Sequence, residues 1–278
     1  MLFGRFDGTP AQDVPAYRRM IPFIMRGRNE SAVYFEQVVD LTRTLPWIER
    51  FNAASEHRIS VFHVLLGALA RTLADRPRLN RFVSGLRLWD RKGIWLSFAA
   101  KKRMDDDAPL SVVKQSFEPD EPFADLVERL HGGIGEARSD RRSSVDKELS
   151  VLLLLPRLVL AALVRVLRLL DALNLAPRAL LEHDPMYTSV FLANLGSIRI
   201  DAAYHHLYEY GNCPLFVTVG RIERVPVSGD DGTVTTRTVV RLKYSFDERV
   251  EDGLYCARAL DLLRERIEDP ESWAGPAA

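Results

Sequence analysis

Apolar residues recur along this chain with strand-like alternation in some segments and with helical spacing in others. Segments 61–73 and 123–130 repeat apolar residues at i, i+3, i+4 and i+7 and predict helices. Strands are predicted at 34–41, 81–89, 94–100, 110–114, 190–194, 214–222 and 234–246. Gly229-Asp230-Asp231-Gly232 predicts a hairpin turn before the last of these strands. Strands and helices mixed over this length predict a single α/β domain.

An unusually apolar segment at about residues 149–181 interrupts this pattern. Its arginines and Asp171 fall within about 120° of a helical wheel, with leucines around most of the rest, which predicts an amphipathic helix that ends near Asn174. One hypothesis is extra core or subunit-interface packing. A second is a lid or wall for a long acyl chain. A third is that residues 149–173 dock on a membrane surface, with the arginines meeting anionic headgroups.

Composition removes several classes of function. Lys plus Arg and Asp plus Glu both number 38, so the net charge is zero, and neither charge nor motif indicates a nucleic-acid partner. We find no secretory signal and no apolar run of about 18 residues, so no membrane-spanning helix is expected. Cys213 and Cys256 have no metal-like spacing and make no disulfide framework, so we expect a cytoplasmic protein and no metal.

Four short motifs occur in a fixed order over about residues 30–273. They are Arg78-Leu79-Asn80-Arg81-Phe82, Leu192-Ala193-Asn194-Leu195-Gly196, Val219-Gly220-Arg221-Ile222 with Pro226-Val227, and Asp247-Glu248-Arg249-Val250-Glu251-Asp252-Gly253. Together they resemble the acyltransferase core of 2-oxoacid dehydrogenase complexes, to which chloramphenicol acetyltransferase is more distantly related.

The resemblance implies a two-layer α/β sandwich with a large mixed sheet. It also implies a homotrimer in which coenzyme A and an acyl acceptor enter one channel between subunits. We therefore divide the chain into an N-terminal arm, 1–30, and an acyltransferase-like domain, 31–278, with the apolar insertion at 149–181. The family's lipoyl and subunit-binding modules are not found in this sequence, so a stand-alone protein is expected rather than a normal dehydrogenase-complex core.

Glu248 stands where the family has the histidine that deprotonates the attacking thiol or hydroxyl. Imidazole suits that task because its pKa lies near neutral, whereas a carboxylate is a weaker base unless burial raises its pKa. Glu248 is either a substitute base or a charged residue that is kept at a helix entrance after catalysis was lost and is paired with an arginine. A close Arg249 side chain would oppose a raised pKa of Glu248. Asp252 and Gly253 match the family, in which the aspartate is mostly structural and held by an arginine, and the glycine permits a tight turn.

A second departure is Ala193, which replaces the family serine that donates a hydrogen bond to the tetrahedral oxyanion. Loss of one such donor typically costs ~2.7–4 kcal/mol of transition-state stabilisation. Asn194 and Ser189 are the candidates for compensation. The two losses leave two hypotheses open, an acyltransferase with impaired chemistry and a non-catalytic pseudoenzyme.

His205 and His206 imitate the paired histidines of acetyltransferase motifs, but Tyr210 stands where the motif has an aspartate. They are a relocated base, a metal pair with Glu209, or part of a polar loop. If folding brings them near Glu248, they are the best reserve site. The other histidines are isolated in the sequence.

Overall fold

A six-stranded mixed sheet is the centre of the protein. The structure, a computed structural model, describes residues 4–101, 110–138, 152–228 and 231–277. In these residues the strands are β1 (Gly8–Pro10), β2 (Ala32–Asp40), β3 (Phe82–Ser84), β4 (Arg87–Arg91), β5 (Ile94–Lys101), β6 (Leu110–Phe117), β7 (Val190–Asn194), β8 (Leu215–Ser228) and β9 (Val234–Asp247). The large sheet has the order β2-β9-β8-β7-β5-β6, with β7 parallel to both neighbours and the other pairs antiparallel.

Helices form the second layer. The α-helices of the described residues are α1 (Ala16–Ile24), α2 (Thr44–Ala54), α3 (Val61–Asp75), α4 (Phe123–Arg138), α5 (Arg157–Ala172), α6 (Arg178–Leu181), α7 (Gly253–Glu268) and α8 (Glu271–Ala274), with short 3-10 helices at Pro77–Asn80 and Leu195–Ile198. Helix α3 begins with a capping box between Ser60 and His63. The predicted two-layer α/β fold with a large mixed sheet is therefore confirmed.

The two faces of the sheet differ because side chains alternate along each strand. On β9, Leu242, Tyr244 and Phe246 enter the main core with α3 and α7. The alternate residues Ser245 and Asp247 point to the other face, yet both are buried. An irregular segment, residues 199–214, covers that face. Two hydrogen bonds hold it there: the Thr218 hydroxyl donates to the Ala203 carbonyl at 2.6 Å, and the Ser245 hydroxyl donates to the His205 carbonyl.

The N-terminal arm packs on the body through buried charges. Strand β1 joins β4 and β3 in a small antiparallel sheet. Arg5 forms ion pairs with Asp7 and with Asp171 of α5, each at 2.8 Å. The segment predicted as one strand at 81–89 is instead a hairpin, because Gly85 and Leu86 both have positive φ and turn the chain between β3 and β4.

Helix α5 confirms the predicted amphipathic helix but not its packing in the core. It begins after Pro156, and Asn174 follows its end with a positive φ of 60°, as is common just beyond a helix. Asp171 is its one buried residue. The hypothesis of extra core packing is wrong, because Leu158 and Leu169 of α5 expose 77% and 59% of their surface, whereas the hypothesis of subunit-interface packing stays a prediction. Residues 139–151, which hold the start of the insertion, lie outside the described residues. We find no helix in the described part of the chain that is long and apolar enough to span a bilayer.

Candidate functional site

The turn between β9 and α7 is held by a buried ion pair. The Arg249 guanidinium donates to both carboxylate oxygens of Asp247, with Nε–Oδ1 at 2.8 Å and Nη2–Oδ2 at 2.7 Å. Its Nη1 also donates to the Arg26 carbonyl at 3.0 Å. Arg249 therefore joins the turn to the N-terminal arm. The charges of Asp247 and Arg249 neutralise each other, so neither group is available for catalysis.

Glu248 lies between these two residues and is exposed. Its backbone N–H donates to the Ser31 carbonyl at 2.9 Å, and its carbonyl accepts from Arg18 at 3.1 Å. Its carboxylate makes no hydrogen bond or ion pair with any described residue, and Arg249 is committed to Asp247. In a single chain Glu248 thus has neither the burial expected of a substitute base nor the suggested arginine partner.

Glu251 is the charged residue of the motif that the sequence did not single out. Only 2% of its surface is exposed, and its carboxylate lies 3.3 Å from Arg78, 3.5 Å from Arg81 and 3.9 Å from Arg18. Arg18 and Arg81 are themselves buried. The three arginines come from distant segments, so spacing in the sequence carries no signal for this cluster.

Asp252 caps helix α7. Its Oδ1 accepts the backbone N–H of Tyr255 at 2.9 Å, and this hydrogen bond holds the pKa of Asp252 below its usual value. The arginine contact expected at Asp252 is made by Glu251 instead, with three arginines. The expectation that Gly253 is needed for a tight turn is also wrong. Its φ is not positive, and a Cβ at this position would meet nothing within 4 Å.

The end of β7 places Ala193 on the sheet face away from the helices, with Phe191 and Phe216. Asn194 caps the following 3-10 helix, its Oδ1 accepting the Ser197 N–H at 3.2 Å. Ser189 is fully buried, and its hydroxyl oxygen accepts the backbone N–H of Trp95 at 2.9 Å. Both candidates for compensation are thus engaged in local structure.

Two glycines of the motifs are required by close backbone contact. A Cβ on Gly196 would lie 2.3 Å from the Gly220 carbonyl oxygen, and one on Gly220 would lie 2.7 Å from the Ala202 nitrogen. No side chain fits either gap. The presence of Gly196 and Gly220 in the motifs is therefore accounted for by the fold and does not indicate a reaction.

His205 and His206 lie on the segment that covers the second sheet face. The His205 ring stacks on Phe216 at 3.9 Å between centroids, and its Nδ1 lies 2.7 Å from the His206 carbonyl oxygen. Burial lowers the pKa of His205, because it disfavours the charged imidazolium. Glu209 instead accepts backbone N–H groups of Arg28 and Asn29. Among the described residues, no group of three or more His, Cys, Asp or Glu could hold a metal.

Strand register gives the spacing of these positions. Ala193 pairs with Thr218, which pairs with Lys243 of β9, and Glu248 follows five residues later, directly after the end of β9. At about 4.8 Å between strands and about 3.4 Å per residue, Ala193 and Glu248 are roughly 20 Å apart. His205, stacked beside the Phe216–Ser245 pair, is roughly 10 Å from Glu248 by the same measure. One chain does not bring these groups into contact.

The fold also assembles histidines that are isolated in the sequence. The His131 ring stacks between those of His57 and His63, at 4.8 and 5.5 Å between centroids. Burial, with a smaller effect of His131, lowers the pKa of His63 to about 4. This cluster lies at the start of α3, away from the motif turn.

Comparison with known proteins agrees with the motifs. Residues 179–274 match the family model of the 2-oxoacid dehydrogenases acyltransferase catalytic domain. The chain resembles that catalytic domain. No match is found among curated proteins.

Solved structures share the acyltransferase fold at low sequence identity. A probable dihydrolipoamide acetyltransferase from Listeria monocytogenes has a TM-score of 0.62 and 17% identity, over 94% of this chain and 95% of that one. The dihydrolipoamide acetyltransferase of Azotobacter vinelandii was studied for the role of a serine, a histidine and an asparagine in its catalytic mechanism. It has a TM-score of 0.62 and 19% identity, over 94% of this chain and 93% of that one. A chloramphenicol acetyltransferase has a TM-score of 0.55 and 12% identity, over 94% of this chain and 98% of that one. The fold is thus of the chloramphenicol acetyltransferase type.

The acyltransferase-like resemblance implies coenzyme A, and one cleft beside Arg249 offers charge for it. The cleft measures about 240 Å³ and lies between Arg26, Arg28, the β3–β4 turn and Arg168 of α5. Arg28 is buried and donates to the carbonyls of Tyr208 and Glu209, and its Nε has no partner among the described residues. Glu209 and Asp171 also line the cleft, but Asp171 is paired with Arg5. The cations fit phosphate groups, and the volume is below the ~300–1,000 Å³ typical of a pocket that buries a small molecule.

Proposed function

We propose that this protein is a stand-alone acyltransferase-like homotrimer that binds coenzyme A or an acyl-coenzyme A and has impaired acyl transfer. The observation that carries the proposal is the motif turn itself. Its fold, its Asp247–Arg249 pair and its Asp252 cap are intact, while the base position holds an exposed carboxylate.

The spacing of the site supports a trimer. Ala193 and Glu248 are roughly 20 Å apart in one chain, so a reacting thioester can meet both positions only if a neighbouring copy supplies one of them. Helix α1, whose Arg18 bonds the Glu248 carbonyl, exposes Tyr17, Phe23 and Ile24 beside the turn. One structure of this fold is the cubic core of the pyruvate dehydrogenase multienzyme complex, which is an assembled state.

Coenzyme A would present its phosphates to Arg26, Arg28 and Arg168. These cations lack carboxylate partners among the described residues, and guanidinium groups bind phosphate with paired hydrogen bonds. The cleft holds only part of the molecule, so the rest would lie between copies.

Acyl transfer in this site would be slow for two reasons. The acceptor's thiol or hydroxyl attacks the thioester carbonyl, its proton must pass to a base, and the carbonyl oxygen becomes an oxyanion before the coenzyme A thiolate leaves. Glu248 is the only motif residue placed to take that proton, and Ala193 offers no donor to the oxyanion. General base catalysis typically contributes about 10²–10⁴-fold, and one oxyanion donor about 10²–10³-fold.

Calorimetric titration with coenzyme A and acetyl-coenzyme A tests the binding half of the proposal. We expect saturable micromolar binding at one site per chain, weakened at least about tenfold in Arg26→Gln with Arg168→Gln. A matched control is Arg43→Gln with Arg50→Gln, two exposed arginines at the start of α2 and within it that do not line the cleft. Absence of binding by the wild-type protein, with light scattering showing a monomer, would refute the proposal.

Acetyl-coenzyme A consumption with dihydrolipoamide, followed by chromatography, tests the chemistry. We expect slow wild-type turnover that falls further in Glu248→Gln, and a gain of at least about 100-fold in Glu248→His with Ala193→Ser. Rapid wild-type turnover that Glu248→Gln leaves unchanged would contradict the assignment of Glu248.

A non-catalytic pseudoenzyme is the second candidate. It is favoured by the structural roles of the retained Gly196, Gly220 and Asp252, which the backbone contact and the helix cap account for. Coenzyme A binding with no wild-type turnover over a broad acceptor panel would select this candidate.

A further inference from the structure

Helix α5 is an amphipathic helix with an apolar face that the body of the protein does not cover. Leu158, Val166, Leu169 and Leu173 expose 77%, 51%, 59% and 53% of their surface, and Leu154, just before the helix, exposes 83%. Soluble proteins rarely leave many large apolar side chains of one helix exposed to water together. The exposure therefore indicates a binding surface.

The residues of α5 fall into three sectors. At about 100° per residue, Leu158, Leu169, Leu173 and Val166 lie within roughly 80°, and Arg157, Arg168 and Arg165 occupy the adjoining roughly 80°. Leu160, Leu167 and Asp171 form the third sector, which is the least exposed and faces the body. An apolar sector thus points away from the protein with a cationic sector along its flank.

Buried polar contacts hold this orientation at the end of the helix. The Arg5 guanidinium pairs with the Asp171 carboxylate at 2.8 Å and donates to its carbonyl at 3.0 Å. The Ser84 hydroxyl also donates to the Asp171 carboxylate, at 3.2 Å. Since these contacts anchor α5 by its polar edge, the apolar sector stays directed outward.

The charges of α5 identify the class of partner. Arg157, Arg165 and Arg168 are all exposed, and Asp171, the one acid of the helix, is buried against Arg5. The outward surface is therefore cationic in a chain whose net charge is zero. A twofold contact between two copies of this surface would bring arginines together, whereas anionic lipid headgroups would neutralise them.

We propose that α5 docks on the surface of a lipid bilayer that contains anionic lipids. The leucine sector enters the boundary between headgroups and acyl chains, and the arginine sector lies among the phosphates. The helix lies in the plane of the surface. The proposal requires no acyl transfer and no residue of the motif turn. Arg168 also lines the cleft beside Arg249, so the charge variant of the vesicle test changes Arg157 and Arg165 only.

Co-sedimentation of the full chain with vesicles tests the docking. Vesicles of phosphatidylcholine alone are compared with vesicles that also contain phosphatidylglycerol, at low and high salt. We expect binding to the anionic vesicles only, and weaker binding at high salt. Loss of two arginine charges in Arg157→Gln with Arg165→Gln should weaken binding by roughly 30-fold.

Val166→Asp with Leu169→Asp tests the apolar sector, and Ile222→Asp with Val234→Asp is the matched control, because both control residues are exposed apolar residues outside α5. We expect the α5 pair to abolish binding and the control pair to retain it. All four positions are exposed, so circular dichroism should show folded proteins.

Three results would overturn the proposal. One is no binding of the wild-type protein to anionic vesicles. Another is equal binding by the α5 and control variants. The third is a change in molar mass by light scattering, without vesicles, in the α5 variants alone, which would identify the surface as a contact between copies.

Discussion

Glu251→Gln is the substitution that best separates the structural from the chemical content of the motif turn. The Glu251 carboxylate is 2% exposed and faces Arg18, Arg78 and Arg81. Removing one partner of a buried ion pair typically costs about 3–5 kcal/mol, because it leaves an uncompensated buried charge. Glu248→Gln, three residues earlier, is the matched control.

The structure places the expected cost at the lower end of that range. Arg81 retains Asp90 at 2.7 Å, and Arg18 retains the Glu248 carbonyl at 3.1 Å. Arg78 is half-exposed and can be solvated by water. We therefore expect Glu251→Gln to lower the free energy of unfolding by about 3 kcal/mol. Glu248→Gln should change it by less than about 0.5 kcal/mol, since its side chain is exposed.

Urea unfolding at neutral pH, monitored by circular dichroism, measures both variants. An unchanged m-value would show that the change is one of stability and not of compactness. A loss below about 1 kcal/mol for Glu251→Gln, or equal losses for the two variants, would refute the claim that Glu251 and not Glu248 anchors this turn.

Three further substitutions test particular contacts. Asp252→Ala should cost about 1 kcal/mol of stability through loss of the α7 cap, and Asp252→Asn much less; equal losses would argue against capping. Because the pKa of His63 is about 4 when folded and about 6.5 when unfolded, its neutral ring stabilises the fold above pH 6.5 and progressively less as pH falls toward 4. His63→Gln should therefore remove up to about 3 kcal/mol of the acid-induced loss, and parallel pH–stability curves for variant and wild type would contradict this. Gly196→Ala should lower the free energy of unfolding by at least about 2 kcal/mol, because the new Cβ meets the Gly220 carbonyl oxygen. Gly132→Ala in α4, where a Cβ meets open space, should be neutral or stabilising. Similar melting curves for the two variants would exclude the clash.

Local patterns in the sequence were enough to predict most elements of the fold. The strand at 190–194, helix α3 and the hairpin between β8 and β9 follow from apolar periodicity and turn residues, which act between near neighbours. The amphipathic character of α5 was likewise readable from its spacing. The 81–89 segment is two strands and not one, because Gly85 and Leu86 adopt positive φ and form a turn, which the Ser84-Gly85 dipeptide is typical of.

The placement of charges was decided by the tertiary structure. The sequence alone indicates a missing histidine at Glu248 and a missing serine at Ala193, because each departure lies within a short motif. It contains no signal that Arg18, Arg78 and Arg81 converge on Glu251, or that Leu158 and Leu169 of α5 face outward. Burial and ion pairing depend on segments far apart in the chain. Local periodicity thus determines which elements form, and long-range packing determines which of their side chains are buried, paired or left exposed to a partner.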